Sequence, residues 1–118
     1  MDLLNLNNAP WQGDTACGRF KIVYDSPDGR CSLAYFEISR PTIPHKHQKM
    51  TEMYFVKSGL GFIRIEDEAA FVKSGNRIII PAGQVHQIKP IHGILEIEVL
   101  TDPRFNIEDI IEFPEYFS

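Results

Sequence analysis

Cysteine is nearly absent from this chain. Cys17 and Cys31 are its only two, too few for a disulfide-built scaffold and placed in neither a Cys-x-x-Cys pair nor a Cys/His zinc pattern. Both read as reduced structural thiols. Long apolar runs are also missing. No stretch reaches the roughly 20 residues of a membrane-spanning helix. The start, Met-Asp-Leu-Leu-Asn-Leu, has neither the basic region nor the long apolar core of a signal peptide. The expected address is the cytoplasm, with no membrane as partner. Basic clusters are lacking too: 12 Lys and Arg are scattered among 16 Asp and Glu, a net charge of −4 that leaves no footprint for nucleic acid. Tryptophan occurs once, and Trp11 reads as an anchor that packs an N-terminal arm down. Internal repeats and low-complexity segments are absent.

What is there is the composition of a soluble globular protein. With 118 residues, 43% hydrophobic and 24% charged, the chain can build one core and not two. Residues 1–18 have no sustained period and form the expected arm, with room for one edge strand. Residues 19–24 and 31–38 are β-branched and aromatic, and the Asp25-Ser-Pro-Asp-Gly29 cluster between them marks a tight reversal, so they pair as a hairpin. Ser39-Arg-Pro-Thr-Ile-Pro44 is an extended connector. Further strands are expected around residues 53–56, 60–66, 69–73, 76–80, 85–89 and 93–100, each closed by Gly, Pro or acidic residues. Ile78, Ile79 and Ile80 suit a strand buried on both faces. Beyond Asp102 the pattern changes. Asn106 can cap a short helix with Glu108 and Asp109 in its first turn, ending near Phe113 before Pro114. The expectation is one all-β domain, a sandwich or barrel over residues 19–101, with 102–118 as its C-terminal segment carrying the short helix.

The chemistry concentrates in residues 44–59. His45 and His47 are two apart, so on an extended strand both imidazoles project from one face. Glu52 follows at the head of an apolar strand. Two imidazoles and a carboxylate suit a transition metal, although two surface histidines beside a solvated glutamate would give the same letters. A third imidazole, His86, starts a short strand after the Pro81-Ala-Gly83 reversal, and a barrel can bring it beside the first two. Three neutral imidazoles and one carboxylate inside a small barrel would hold a divalent metal, and octahedral coordination would leave two positions for water or substrate.

These motifs resemble those of the cupin superfamily. The family's first motif runs Gly, five residues, His-x-His, three or four residues, Glu, six residues, Gly; here His45, His47, Glu52 and Gly59 are in register. Its second runs Gly, five residues, Pro-x-Gly, two residues, His, three residues, Asn; here Gly75, Pro81, Gly83 and His86 are in register. Ser39 and Pro90 depart from the opening Gly and the closing Asn, both structural positions rather than ligands. The resemblance implies a double-stranded β-helix (jelly-roll) barrel whose metal ligands are His45, His47, Glu52 and His86. The metal would be a divalent Fe, Mn, Ni or Zn, and the partners a small-molecule substrate or ligand and a second copy in a homodimer. The implied activity is a metal-dependent enzyme on a small polar substrate, of dioxygenase or of sugar or keto-acid isomerase/epimerase type. Non-catalytic binding of a sugar or metabolite is the alternative. Tyr54 shares parity with Glu52, so it points inward, either as a packed core tyrosine or as the acid/base of a catalytic site. Glu96 and Glu98 alternate with Leu95, Ile97 and Val99 and are expected on the outer face.

Overall fold

A computed structural model describes the chain apart from Asp2, Ala16, Cys17 and Ser118, with Asp14 described in its backbone alone. The thiol expected at Cys17 therefore lies outside the described residues; Cys31 is half-buried and free. Among the described residues, eleven strands form: β1 (Trp11–Thr15), β2 (Gly18–Asp25), β3 (Ser32–Ile38), β4 (His45–His47), β5 (Thr51–Ser58), β6 (Leu60–Ile65), β7 (Glu68–Lys73), β8 (Arg77–Ile80), β9 (His86–Pro90), β10 (Leu95–Asp102) and β11 (Ile110–Glu112). They form two antiparallel sheets, ordered β1-β2-β3-β10-β5-β8 and β11-β4-β9-β6-β7. The chain passes repeatedly from one sheet to the other, which closes the pair into a jelly-roll barrel.

Alternation dictates what faces inward. On β10, Leu95, Ile97 and Val99 are buried while Glu96 and Glu98 are half-exposed, so both glutamates lie on the outer face as their parity requires. Lys57 pairs with Glu98 at 2.7 Å, and Tyr35 and Ser58 donate to Glu96. The core gathers Phe20, Ala34, Phe36, Ile38, Tyr54, Val56, Ile63, Val72, Ile80 and Ile88 with the β10 set. The hairpin of β2 and β3 pairs as expected, its turn closed by the Ser26 N–H donating to the Cys31 carbonyl at 3.0 Å. Trp11 pins β1 down, with the Arg19 guanidinium 3.5 Å over its ring.

Two expectations fail. β8 is an edge strand, not one buried on both faces: Ile80 enters the core, but Ile79 is 58% exposed on the outer face. That face carries a cross-strand apolar row, because Tyr24 opposes Leu33, Leu33 opposes Leu100, Leu100 opposes Met53 and Met53 opposes Ile79. The C-terminal helix is also absent. Asn106 caps as its sequence suggests, accepting from the Glu108 N–H at 3.0 Å, but only one 3-10 turn is formed, Ile107–Asp109. A helix that short is costly to nucleate and makes few internal hydrogen bonds. The neighbouring edge of β4 offers a full ladder instead, and Ile110–Glu112 takes it as β11.

Among the described residues, no helix is long and apolar enough to cross a membrane.

Candidate metal centre

The four expected ligands come from three short stretches that the barrel closes together. β4 and β9 are neighbours, and His45 is directly opposite His86 in their register. Glu52 projects from β5 in the facing sheet. The result is a cluster sealed from water: His45, His47, Glu52 and His86 are each no more than 2% exposed. The ring of His45 stands 4.3 Å from that of His86 and 5.2 Å from that of His47, centroid to centroid. One ligand atom from each of the three histidines lies within 4.8 Å of the others.

Backbone carbonyls orient two of the rings. The His45 Nδ1–H donates to the Ile43 carbonyl at 2.6 Å, and the His86 Nδ1–H to the Gln84 carbonyl at 3.0 Å. A carbonyl can only accept, so the proton resides on Nδ1 and the Nε2 lone pair of each ring is directed away from it, the tautomer a metal-binding histidine needs. Glu52 Oε1 lies 3.1 Å from His47 Nε2 and 3.3 Å from His86 Nε2. Neither approach has hydrogen-bond alignment, and His47 Nδ1, His47 Nε2, Glu52 Oε1 and His86 Nε2 are all buried without a hydrogen-bond partner. Orphaned buried polar atoms are rare because each costs about 1–3 kcal/mol. Four in one place, all of them metal-ligating types, fit a bound cation.

The protonation states agree with that chemistry. Burial, reinforced by the neighbouring His86, pushes the His45 pKa down to about 3, so its imidazole is neutral at physiological pH. Burial would raise Glu52, but the His47 and His86 imidazoles at its carboxylate outweigh it and hold it below the usual range, so it is anionic. Neutral imidazole and anionic carboxylate are the forms that bind a metal.

Tyr54 does point inward. It is 3% exposed, and its ring meets that of His86 edge-on at 6.3 Å. His92 stands exposed in the loop before β10. Three contributors escaped the sequence reading. Ser32 and Thr101 share inward parity with the core residues of β3 and β10, and Thr101 lies opposite both Ser32 and Glu52. Their buried hydroxyls are 2.5 Å apart and continue the polar row from Glu52 across the sheet. The parity of two hydroxyl residues in otherwise apolar strands was the available signal. The third is Asp109, whose carboxylate accepts from the Gln48, Lys49 and Met50 N–H groups of the loop between His47 and Glu52, and whose sequence position suggested a helix instead.

Two antiparallel sheets closed over three buried histidines define a small β-barrel able to hold a metal ion. The uncharacterized protein MJ1618 of Methanocaldococcus jannaschii is 31% identical to this chain over 88 residues, 74% of this chain and 70% of the relative. No family model matches the chain. Among solved structures, the nucleoside dehydratase Pac13 of Streptomyces aligns with a TM-score of 0.81 at 15% identity, over 100% of this chain and 94% of its own. The cupin domain of Schizosaccharomyces pombe Cnp3 aligns with a TM-score of 0.70 at 14% identity, over 84% of this chain and 72% of its own. The chain has the fold of a small cupin-type protein and belongs to the same family as MJ1618.

Proposed function

We propose that this cupin is a metal-dependent enzyme acting on a small polar molecule, with His45, His47, Glu52 and His86 as the ligands of one divalent transition metal. The observation that carries the proposal is the convergence of orphaned, buried donor atoms from His47, Glu52 and His86 in a water-excluded interior. When bound, such a metal supplies Lewis-acid polarisation of a substrate oxygen, or a redox centre if it is iron. The chain's own side chains would set the rest. Ile43 and Gln84 carbonyls hold the rings of His45 and His86 in orientation. The phenol of Tyr54, on the same inner face as Glu52, is proposed for proton transfer. Because a nucleoside dehydratase shares the fold, nucleosides are tested as substrates along with sugars, keto acids and phenols.

Metal analysis of purified protein tests the core of this reading. After supply of Fe, Mn, Ni and Zn, the protein is expected to carry close to one metal per chain, and His45→Ala/His86→Ala close to none. Equal, substoichiometric metal in both sinks it. Oxygen uptake by the Fe(II) form in the presence of substrate would select the oxygenase type, and solvent-proton exchange without oxygen use the isomerase type. Ligand-dependent stabilisation with neither activity would select the binding alternative.

For a macromolecular partner we propose a second copy of the chain. The apolar row Tyr24, Leu33, Leu100, Met53 and Ile79 on the outer face of the larger sheet supports it. Sedimentation is expected to give a dimer for the native chain and a monomer for Leu100→Glu, whose side chain is 40% exposed and outside the core. A monomeric native chain removes the dimer.

A further inference from the structure

We propose that Asp109 is a positioning residue for the metal centre: from the C-terminal segment, its carboxylate fixes the loop that joins His47 to Glu52. The inference rests on reading the histidine–glutamate cluster as that centre. β4 is three residues long and touches β9 through a single register pair, His45 with His86. Most of its pairing comes from β11, where Ile110 opposes His47, Ile111 opposes Lys46 and Glu112 opposes His45. The Phe113 N–H continues the edge by donating to the Pro44 carbonyl at 2.7 Å. Two ligands therefore sit on a strand that residues 110–113 hold in place.

The connection to the third ligand is more tightly held. Residues 48–50 carry the chain from β4 in one sheet to β5 in the other. Three consecutive backbone donors in that loop converge on one side chain. The Gln48 N–H donates to Asp109 Oδ1 at 3.2 Å, and the Lys49 and Met50 N–H groups donate to Oδ2 at 3.0 Å and 3.1 Å. Successive N–H groups aimed at one point make an anion-binding nest, and a carboxylate is a strong acceptor for it. Met50 is 1% exposed, so its side chain anchors the loop in the interior while Asp109 holds its backbone. The same loop begins at the His47 carbonyl, which accepts from the Gly83 N–H at 2.7 Å, tying it to the turn that precedes His86. A change in the 48–50 backbone thus moves His47 relative to both Glu52 and His86, and in this arrangement Glu52 Oε1 is 3.1 Å from His47 Nε2 and 3.3 Å from His86 Nε2.

The test uses the full chain and cobalt(II) alone as the probe. Three variants are compared with the native protein: Asp109→Ala, Asp109→Asn, which keeps one acceptor oxygen but not the pair, and Val72→Ala. Val72 is a core residue on β7, in the strand farthest from β4 on the other side of its sheet, so it reports general destabilisation. Cobalt release to a chelator is expected to quicken about 10- to 100-fold in Asp109→Ala, the range for residues that orient metal ligands, and by less in Asp109→Asn. The visible cobalt bands should change in the same order, while Val72→Ala keeps the native spectrum and rate. Native release and native bands in Asp109→Ala overturn the inference. So does Val72→Ala matching its release rate at equal urea stability. If the native chain takes up no cobalt, the metal reading fails separately, and NMR of the metal-free protein decides the clamp. There, Asp109→Ala must speed amide exchange at Gln48, Lys49 and Met50 and shift the His47 ring signals; unchanged His47 signals overturn it.

Discussion

The metal-free protein is expected to lose stability steeply as the pH falls from 6.5 toward 3, and His45→Gln is expected to remove much of that slope. His45 has an ordinary pKa of 6.5 that burial lowers to about 3 in the fold. Between those values the unfolded chain binds a proton at this site and the folded chain does not, so unfolding takes up a proton and stability falls with falling pH. Each unit of such a difference amounts to about 1.4 kcal/mol. Over the whole window the effect is of order a few kcal/mol, a large share of the roughly 5–15 kcal/mol that holds a small domain together. Glu52 acts in the same direction at lower pH. Its carboxylate is held below the usual glutamate range, so the stability it contributes is present above its ordinary value of 4.5 and is lost as the pH falls through the folded pKa. Glutamine at position 45 cannot titrate but keeps an amide N–H for the Ile43 carbonyl that the imidazole now uses. Urea midpoints measured with a chelator from pH 7.5 to about 3.5 check this. A His45→Gln protein with the native slope would show that another group carries the acid lability.

That sensitivity belongs to the part of the site that the sequence displayed most openly. His45-x-His47, Glu52 and His86, which the fold gathers into one buried cluster, stood out because metal-ligating residue types at strand-parity spacings can be read from sequence. The inward direction of Tyr54 and the outward direction of Glu96 and Glu98 came from the same period of two, and the structure agrees on all three. Legibility failed where competition between partners decided the outcome. Asn106 to Asp109 carries a helix-start pattern, and the cap does form. The path of the chain beyond that cap is set by an unpaired edge on β4 and three unpaired N–H groups about sixty residues away in sequence, which no local pattern announces. Ile78, Ile79 and Ile80 misled for a related reason. Apolar runs imply burial on both faces, but β8 lies at the end of its sheet and its outer isoleucine joins an exposed row. The motif glycines were legible in kind, since Gly59, Gly75 and Gly83 all adopt the positive φ expected at tight reversals. Their relative importance was not.

Gly59→Ala is expected to be far more damaging than Gly75→Ala or Gly83→Ala, although all three occupy equivalent-looking motif positions. The φ angles are similar, +90° at Gly59, +93° at Gly75 and +85° at Gly83. Placing an alanine in left-handed backbone costs roughly 1–2 kcal/mol by itself, and at Gly75 and Gly83 that is the whole effect, because an added Cβ meets nothing within 4 Å. At Gly59 the added Cβ would lie 2.6 Å from the Ile94 carbonyl oxygen and 3.1 Å from the Leu95 Cα. Both are backbone atoms, so no side chain can swing aside, and the β5–β6 turn would have to separate from the start of β10. Overpacking of this kind adds about 1–3 kcal/mol, giving a total of about 2–5 kcal/mol. The damage should also reach the metal centre. β5 carries Glu52 and pairs with β10, while β6 leaves the same turn to pair with β9, which carries His86. Forcing that turn outward therefore displaces the roots of Glu52 and His86, two of the proposed ligands, in facing sheets. Urea midpoints should rank Gly59→Ala well below the other two variants, and its metal content should fall while theirs stays native. Equal destabilisation in all three would mean that the turn relaxes around the methyl group and that φ alone sets the cost.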